Sequence, residues 1–347
     1  MSLNNFSRQR GLSLIELMVG LLLSSILLLG VLQIFDSNRD TLRLQTAFAR
    51  IQESGRFGMD MLTKEIRIAD YWGCAPDSDS IRNHLDKTDA DYTPDVLDDL
   101  GKKGVLGING ASSLTIGSIA VKEGSDVLYL RGSDDACGGT GRMVPSLTAA
   151  ALMASQDCNV EEGDVVLLAN CQSGELMTIT QVQGGGGGNS DKKTLVHNTG
   201  NNPVPGRIDN ATKTLQREYG ADARILVPYS RSFFVGQNVT GGLSLFMRQN
   251  FGNAQELIPG IEDMQLLGGR DADNDDVVDV WEPMSMVETD MEQVLAIKVE
   301  LLVSSDDRVN ADDAKLTNID GLEKEYVDGK LRKVYLSSAK IRNRGNM

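Results

Sequence analysis

The chain has 347 residues, with 34 Lys and Arg against 49 Asp and Glu and a formal net charge of −15 at pH 7. A surface that acidic repels nucleic acid and anionic headgroups, so direct nucleic-acid binding is not expected of it. With two histidines, no GxSxG, no HExxH and no Cys–His arrangement, the sequence also gives no footing for enzymatic chemistry and reads as a non-enzyme.

The first element opens on a basic start, Arg8-Gln9-Arg10-Gly11, and runs apolar from Leu12 to Phe35 with Glu16 as its one charge. As a helix, these 24 residues reach roughly 36 Å, enough to cross a hydrocarbon core of about 30 Å. Asp36, Ser37, Asn38 and Arg39 follow instead of a small-residue cleavage site, so the segment is expected to stay in the mature chain. Arg8 and Arg10 mark the cytoplasmic end, and the chain beyond Phe35 lies across the membrane. Glu16 needs a reason, because a lone carboxylate in an apolar span costs roughly 2.5–3.5 kcal/mol on insertion scales. A cut between Gly11 and Leu12 would create an α-amino group one turn before it, on this chain or on a neighbour.

Leu44, Phe48, Ile51, Gly55, Met59, Leu62, Ile66 and Ala69 recur at steps of three and four. They predict one helix from Leu12 to about Ala69, roughly 87 Å long, with Gly55 and Gly58 as weak points that mark a bend. Residues 75 to 125 read as loops with short strands. Strands are expected at Val127–Leu130, Val165–Leu168 and Leu176–Thr180, with a hairpin through Gln172, Ser173 and Gly174. Further strands are expected at Arg224–Val227, Ser232–Val235, Leu243–Arg248, Val294–Val303 and Val334–Ile341. Gly184 to Gly188 reads as a flexible loop, and Asn189, Ser190 and Asp191 break the spacing a phosphate loop needs before Lys193 and Thr194.

Cys74, Cys137, Cys158 and Cys171 all follow the apolar run, where an oxidising compartment favours two disulfides in one of three connectivities. Cys137–Cys158, closing the loop around Pro145 to Gln156, and Cys74–Cys171, tying the end of the helix to the sheet, are favoured. No CxxC pair occurs and His84 and His197 lie far from the cysteines in sequence, so zinc has little support. Between Gly269 and Pro283, Asp271, Asp273, Asp275, Asp279 and Glu282 put side-chain oxygens at loop positions 1, 3, 5, 9 and 12, with Val277 offering a carbonyl at position 7. That spacing is the way a loop wraps calcium, here in a structural role, although Asp276 stands where the pattern wants Gly.

Gly11, Glu16 and the apolar run together resemble the class III signal of type IV pilins and pseudopilins, with Leu12 where the family usually has Phe. The resemblance implies that prepilin peptidase cuts after Gly11 and methylates Leu12. It also implies that Glu16 neutralises the terminal amine of an adjacent subunit. Gln52-Glu53-Ser54-Gly55-Arg56 and the stretch from Ile66 to Cys74 are similar to the helix end of PilW-type minor pilins and of type II secretion pseudopilin J. The closing Lys340-Ile341-Arg342-Asn343-Arg344 is similar to the "RN" ending of minor pilins, and PilW-like proteins carry an acidic turn where Asp271 begins.

The implied fold is α+β and type IV pilin-like, a long N-terminal helix on a mostly antiparallel sheet with large loops. The implied division is a leader at 1–11, an assembly half of the helix at 12–35, an amphipathic half at 36–72 and a periplasmic domain at 73–347. The implied function is that of a minor pilin in a tip complex that initiates pilus assembly, with twitching motility, adhesion and DNA uptake all left open as the task of that pilus. Its implied partners are other minor and major pilins, prepilin peptidase and a tip adhesin, and its implied location is the inner membrane and then the pilus. A J-type pseudopilin, and a membrane-anchored calcium-dependent binding domain that never polymerises, are the other readings the residues allow.

Overall fold

The computed structural model describes residues 13–75, 78–92, 94–97, 100–101, 103–138, 143–144, 151–184, 192–200, 204, 207–250, 252–287, 291–309 and 312–344. Gly11, Leu12 and most of the Gly184–Gly188 stretch lie outside the described residues.

One unbroken helix of 55 residues, Leu14–Ile68, leads the chain. From Leu14 to Arg50 it is exposed except at Ala47, and only Ile51, Gly55, Gly58, Met59, Leu62 and Ile66 are buried. The predicted stripe therefore meets the domain at Ile51, and Leu44 and Phe48 stay exposed. The helix assignment runs through Gly55 and Gly58 without interruption. A Cβ at Gly55 would run into the Tyr335 ring, which its own hydroxyl pins to the Ile51 carbonyl at 3.1 Å, and one at Gly58 would lie 3.0 Å from Leu301 Cδ1. Both glycines let the helix approach the sheet closely.

That sheet has four antiparallel strands in the order Val280–Pro283, Ile261–Arg270, Val294–Ser304 and Arg332–Lys340. Ile261–Arg270 is a strand the sequence did not suggest, because Glu262, Asp263, Gln265 and two glycines interrupt its apolar pattern. Each polar group has a partner: Arg332 holds Glu262, Lys122 holds Asp263, and Gln265 donates to the Gly124 carbonyl. The helix, this sheet and part of a second one share the main core, where Leu62, Ile66, Leu128, Phe233, Met264 and Leu301 meet.

The second sheet is built on Arg224–Gln237, a single strand of 14 residues where two short ones were expected. One edge pairs first with Val165–Asn170 and then with Leu243–Gln249, while the other pairs with Val127–Asp135. Pro228 falls in the gap between the two partners on the first edge, so the strand tolerates it. Ser173–Thr178 and the parallel Ile81–Asn83 extend this sheet, and the expected turn at Ser173 and Gly174 is already strand. The loop expected around Pro145 to Gln156 contains the strand Ala151–Ser155, part of a small third sheet over the core that holds Cys137 and Cys158. Disulfides join Cys137 to Cys158 and Cys74 to Cys171.

Replacing Gly55 by Ala should gain about 1 kcal/mol of helix propensity and lose about 1–3 kcal/mol to overpacking against the pinned tyrosine. Thermal unfolding of the full chain in detergent should show a lower Tm for Gly55→Ala; an unchanged or higher Tm would mean that the ring yields.

Candidate assembly site and acidic loop

Ser13 is the helix N-cap, with an extended backbone. Its hydroxyl accepts the Glu16 N–H at 3.1 Å, and its own N–H donates to Glu16 Oε2 at 3.4 Å. The pattern Ser-x-x-Glu is a capping box, written in the sequence at the head of the apolar run. It satisfies two donors that would otherwise be left bare at the head of an apolar helix, where lipid offers them nothing. The Glu16 carboxylate thus lies at the positive end of the helix dipole, beside the place where an α-amino group at Leu12 would appear.

The other end of the helix is closed by the tail of the chain. Asp70 has left-handed backbone (φ +63°) and ends the helix. Asn343 Nδ2 donates to the carbonyls of Ile68 at 3.2 Å and Ala69 at 2.8 Å, and Arg344 binds Asp70 and the carbonyls of Met291 and Val294. The final Arg-Asn-Arg is therefore a helix cap reached across the whole chain.

The acidic loop connects Ile261–Arg270 to Val280–Pro283. Asp271 is buried, and its carboxylate accepts the N–H of Asp275 at 3.1 Å and of Asp276 at 2.8 Å. Burial opposes ionisation there, but these backbone donors prevail and hold Asp271 below the usual carboxylate range. Asp276 takes up the left-handed conformation (φ +66°) that the pattern gives to Gly, as does Asn274 (φ +61°). Carboxylate oxygens of Asp271, Asp273 and Asp275 lie within 4.8 Å of one another, and repulsion from Asp275 and then Asp279 raises Asp273. Asp279 closes the loop by accepting the Ala272 N–H at 2.7 Å, and the Val277 N–H donates to Asp275. Glu282 departs from the expected ligand set. It belongs to the strand Val280–Pro283, and its carboxylate is held by Arg270 at 3.0 Å. Three converging carboxylates, with a fourth closing the loop, form an oxygen set suited to a hard cation.

The two histidines, distant in sequence, meet in the interior. His84 Nδ1 faces the Thr212 carbonyl at 3.1 Å and its Nε2 faces Glu175 Oε2, while Gln216 N–H and Tyr219 O–H donate to Glu175 Oε1. His197 is buried nearby, its pKa pushed down to about 4 by burial and then by His84. With His84, Glu175, His197 and Tyr219 all buried, the group ties loops to the sheet and offers no catalytic surface.

A folded value of about 4 against an ordinary 6.5 means that the unfolded chain takes up the His197 proton first as pH falls. The stabilisation by neutral His197 is complete above about pH 6.5 and is lost between there and pH 4, by up to about 3 kcal/mol. Asp126 and Glu300, raised by burial to about 7, act in the opposite sense, costing stability as pH rises from about 4 toward 7. The comparison must therefore be made against a variant. Denaturant unfolding should show the gap between His197→Gln and the parent narrowing from pH 7.5 to pH 4.5, and a constant gap would contradict the assignment.

Residues 232–343 match the family described as Type IV Pilus-assembly protein W, and residues 6–32 match the prokaryotic N-terminal methylation motif. No curated protein and no solved structure matches the chain. The first match covers the helix-facing sheet and ends at the capping Asn343; the second spans the capping box and most of the apolar run. With both ends of the long helix accounted for in this way, the two matches support a type IV minor pilin of the PilW family, a family of structural pilus-assembly proteins and not of enzymes.

Proposed function

We propose that this minor pilin sits in the inner membrane as a single-pass protein with its domain on the periplasmic side. Prepilin peptidase cuts it after Gly11 and methylates Leu12, and it then enters a tip complex that primes the pilus. The observation that carries this reading is the helix itself: apolar on all sides and exposed from Leu14 to Phe35, yet fastened to the domain from Ile51 onward. Such a helix needs lipid or other helices around it. Exchange of the Ser13 N–H for the α-amino group of a neighbouring subunit gives Glu16 its role in docking. The PilW match favours a pilus over the J-type secretion machine. Mass spectrometry of sheared pili should find the chain beginning at Leu12, and Glu16→Ala should be cleaved normally yet be depleted about a hundredfold or more from the filament, since losing one partner of a buried ion pair costs about 3–5 kcal/mol. Equal incorporation of the two would sink the proposal.

We also propose that the acidic loop holds a structural calcium ion through Asp271, Asp273, Asp275 and Asp279, with the Val277 carbonyl. The ion would relieve the repulsion that raises Asp273. A ligand at about a hundred times its Kd adds about 2.7 kcal/mol to the folded state. Calcium should therefore raise Tm relative to chelator in the parent and in Glu282→Gln, and should not in Asp273→Asn. Identical melting curves in calcium and in chelator would remove the ion from the account.

A further inference from the structure

A groove of about 1180 Å³ runs between one flank of the long helix and the loops at the base of the domain. Arg39, Leu42, Arg43, Arg50 and Phe57 line its helix wall, and Leu257 lies opposite. Leu42 is 63% exposed and Phe57 58%, so the wall offers apolar surface with arginines set along it. At the domain end the charge is answered within the chain, where Arg50 pairs with Asp306 at 3.6 Å. At the membrane end it is not. Arg39 and Arg43, one turn apart, make no ion pair among the described residues, and Asp36 and Asp40 do not line the groove. Two unanswered arginines one turn apart, beside apolar wall residues, in a chain of net charge −15, call for an acidic occupant from elsewhere.

We propose that the membrane-proximal half of this groove receives a helix of another membrane-anchored subunit that carries two carboxylates one turn apart. Arg39 lies four residues beyond Phe35, only about 6 Å along the axis, so the occupant must run beside this helix just outside the apolar zone. Carboxylates spaced i, i+4 on that helix match the Arg39–Arg43 spacing. Leu42, set between the two arginines on the same wall, supplies the apolar contact that a headgroup would not need. The inference rests on the filament reading to the extent that the occupant shares this chain's membrane or pilus.

The test places a photo-crosslinking benzoylphenylalanine at position 42 of the full chain in cells. The adduct should map to a helical segment next to an apolar span, with two Asp or Glu one turn apart. Arg39→Glu with Arg43→Glu should reduce it about tenfold or more, through like-charge repulsion, while Arg39→Lys with Arg43→Lys keeps most of it. An adduct with lipid alone, one with a segment lacking carboxylates, or one that survives the charge reversal overturns the proposal. The N-terminus of the adducted chain is read from the same band. Cleavage after Gly11 without an adduct removes the groove and leaves the filament reading standing, whereas an adduct on an uncleaved chain does the reverse.

Discussion

A helix of 55 residues, free along its first two thirds and gripped only by its last, places the mechanical demand of the whole protein on one short contact. That contact is close because Gly55 and Gly58 remove the side chains that would hold the helix off Tyr335 and Leu301. It is closed at the end because the last carbonyls of the helix, which no helix can satisfy for itself, are taken by Asn343. Arg344 then ties Asp70 to the backbone of Met291 and Val294. The C-terminal segment therefore returns to the far end of the N-terminal helix, and the C-terminal strand cannot leave without uncapping it.

The remaining structure braces that joint. Cys74–Cys171 links the residues just after the helix to the turn of a hairpin in the second sheet, closing a loop of sequence separation 97, where the entropy removed from the unfolded chain is large. The two main sheets are joined by Asp126, whose buried carboxylate takes N–H groups from Gly110 and Leu266 and the Asn109 amide. The closed group of His84, Glu175 and Tyr219 does similar work further out, with a partner for each polar atom of Glu175. Buried polar groups of this kind are costly when one partner is lost, so each fixes the arrangement of the segments it joins.

At the other end the helix carries its own start signal, and Ser13 and Glu16 satisfy each other's backbone donors until something better arrives. A charged amine is a stronger partner for a carboxylate than a neutral N–H. The same residue thus caps the single chain and, in the assembly proposed above, would become a contact between subunits. The acidic loop stands apart from this axis, at the far edge of the helix-bearing sheet, so an ion there would stiffen a rim and leave the joint untouched.

The sequence by itself determined what depends on local pattern. The apolar run, the three-and-four stripe from Ile51 to Ile66, most of the alternating strands and the calcium-like spacing from Asp271 could all be read in order, because each is a repeat over neighbouring residues. What it could not decide was set by contacts distant in sequence. Gly55 reads as a weak helix residue until Tyr335 is laid across it, and Ile261–Arg270 shows no clean strand pattern until Arg332 and Lys122 arrive to pair its carboxylates. Glu282 fits a ligand position until the strand that contains it turns its carboxylate to Arg270. Two histidines 113 positions apart look scattered until the sheet brings them together around Glu175. The choice among three disulfide pairings was settled in the same way, by which cysteines the folded backbone sets side by side. Propensity and periodicity act along the chain, whereas close approach, charge pairing and helix capping act through space, and only the tertiary structure assigns those partners.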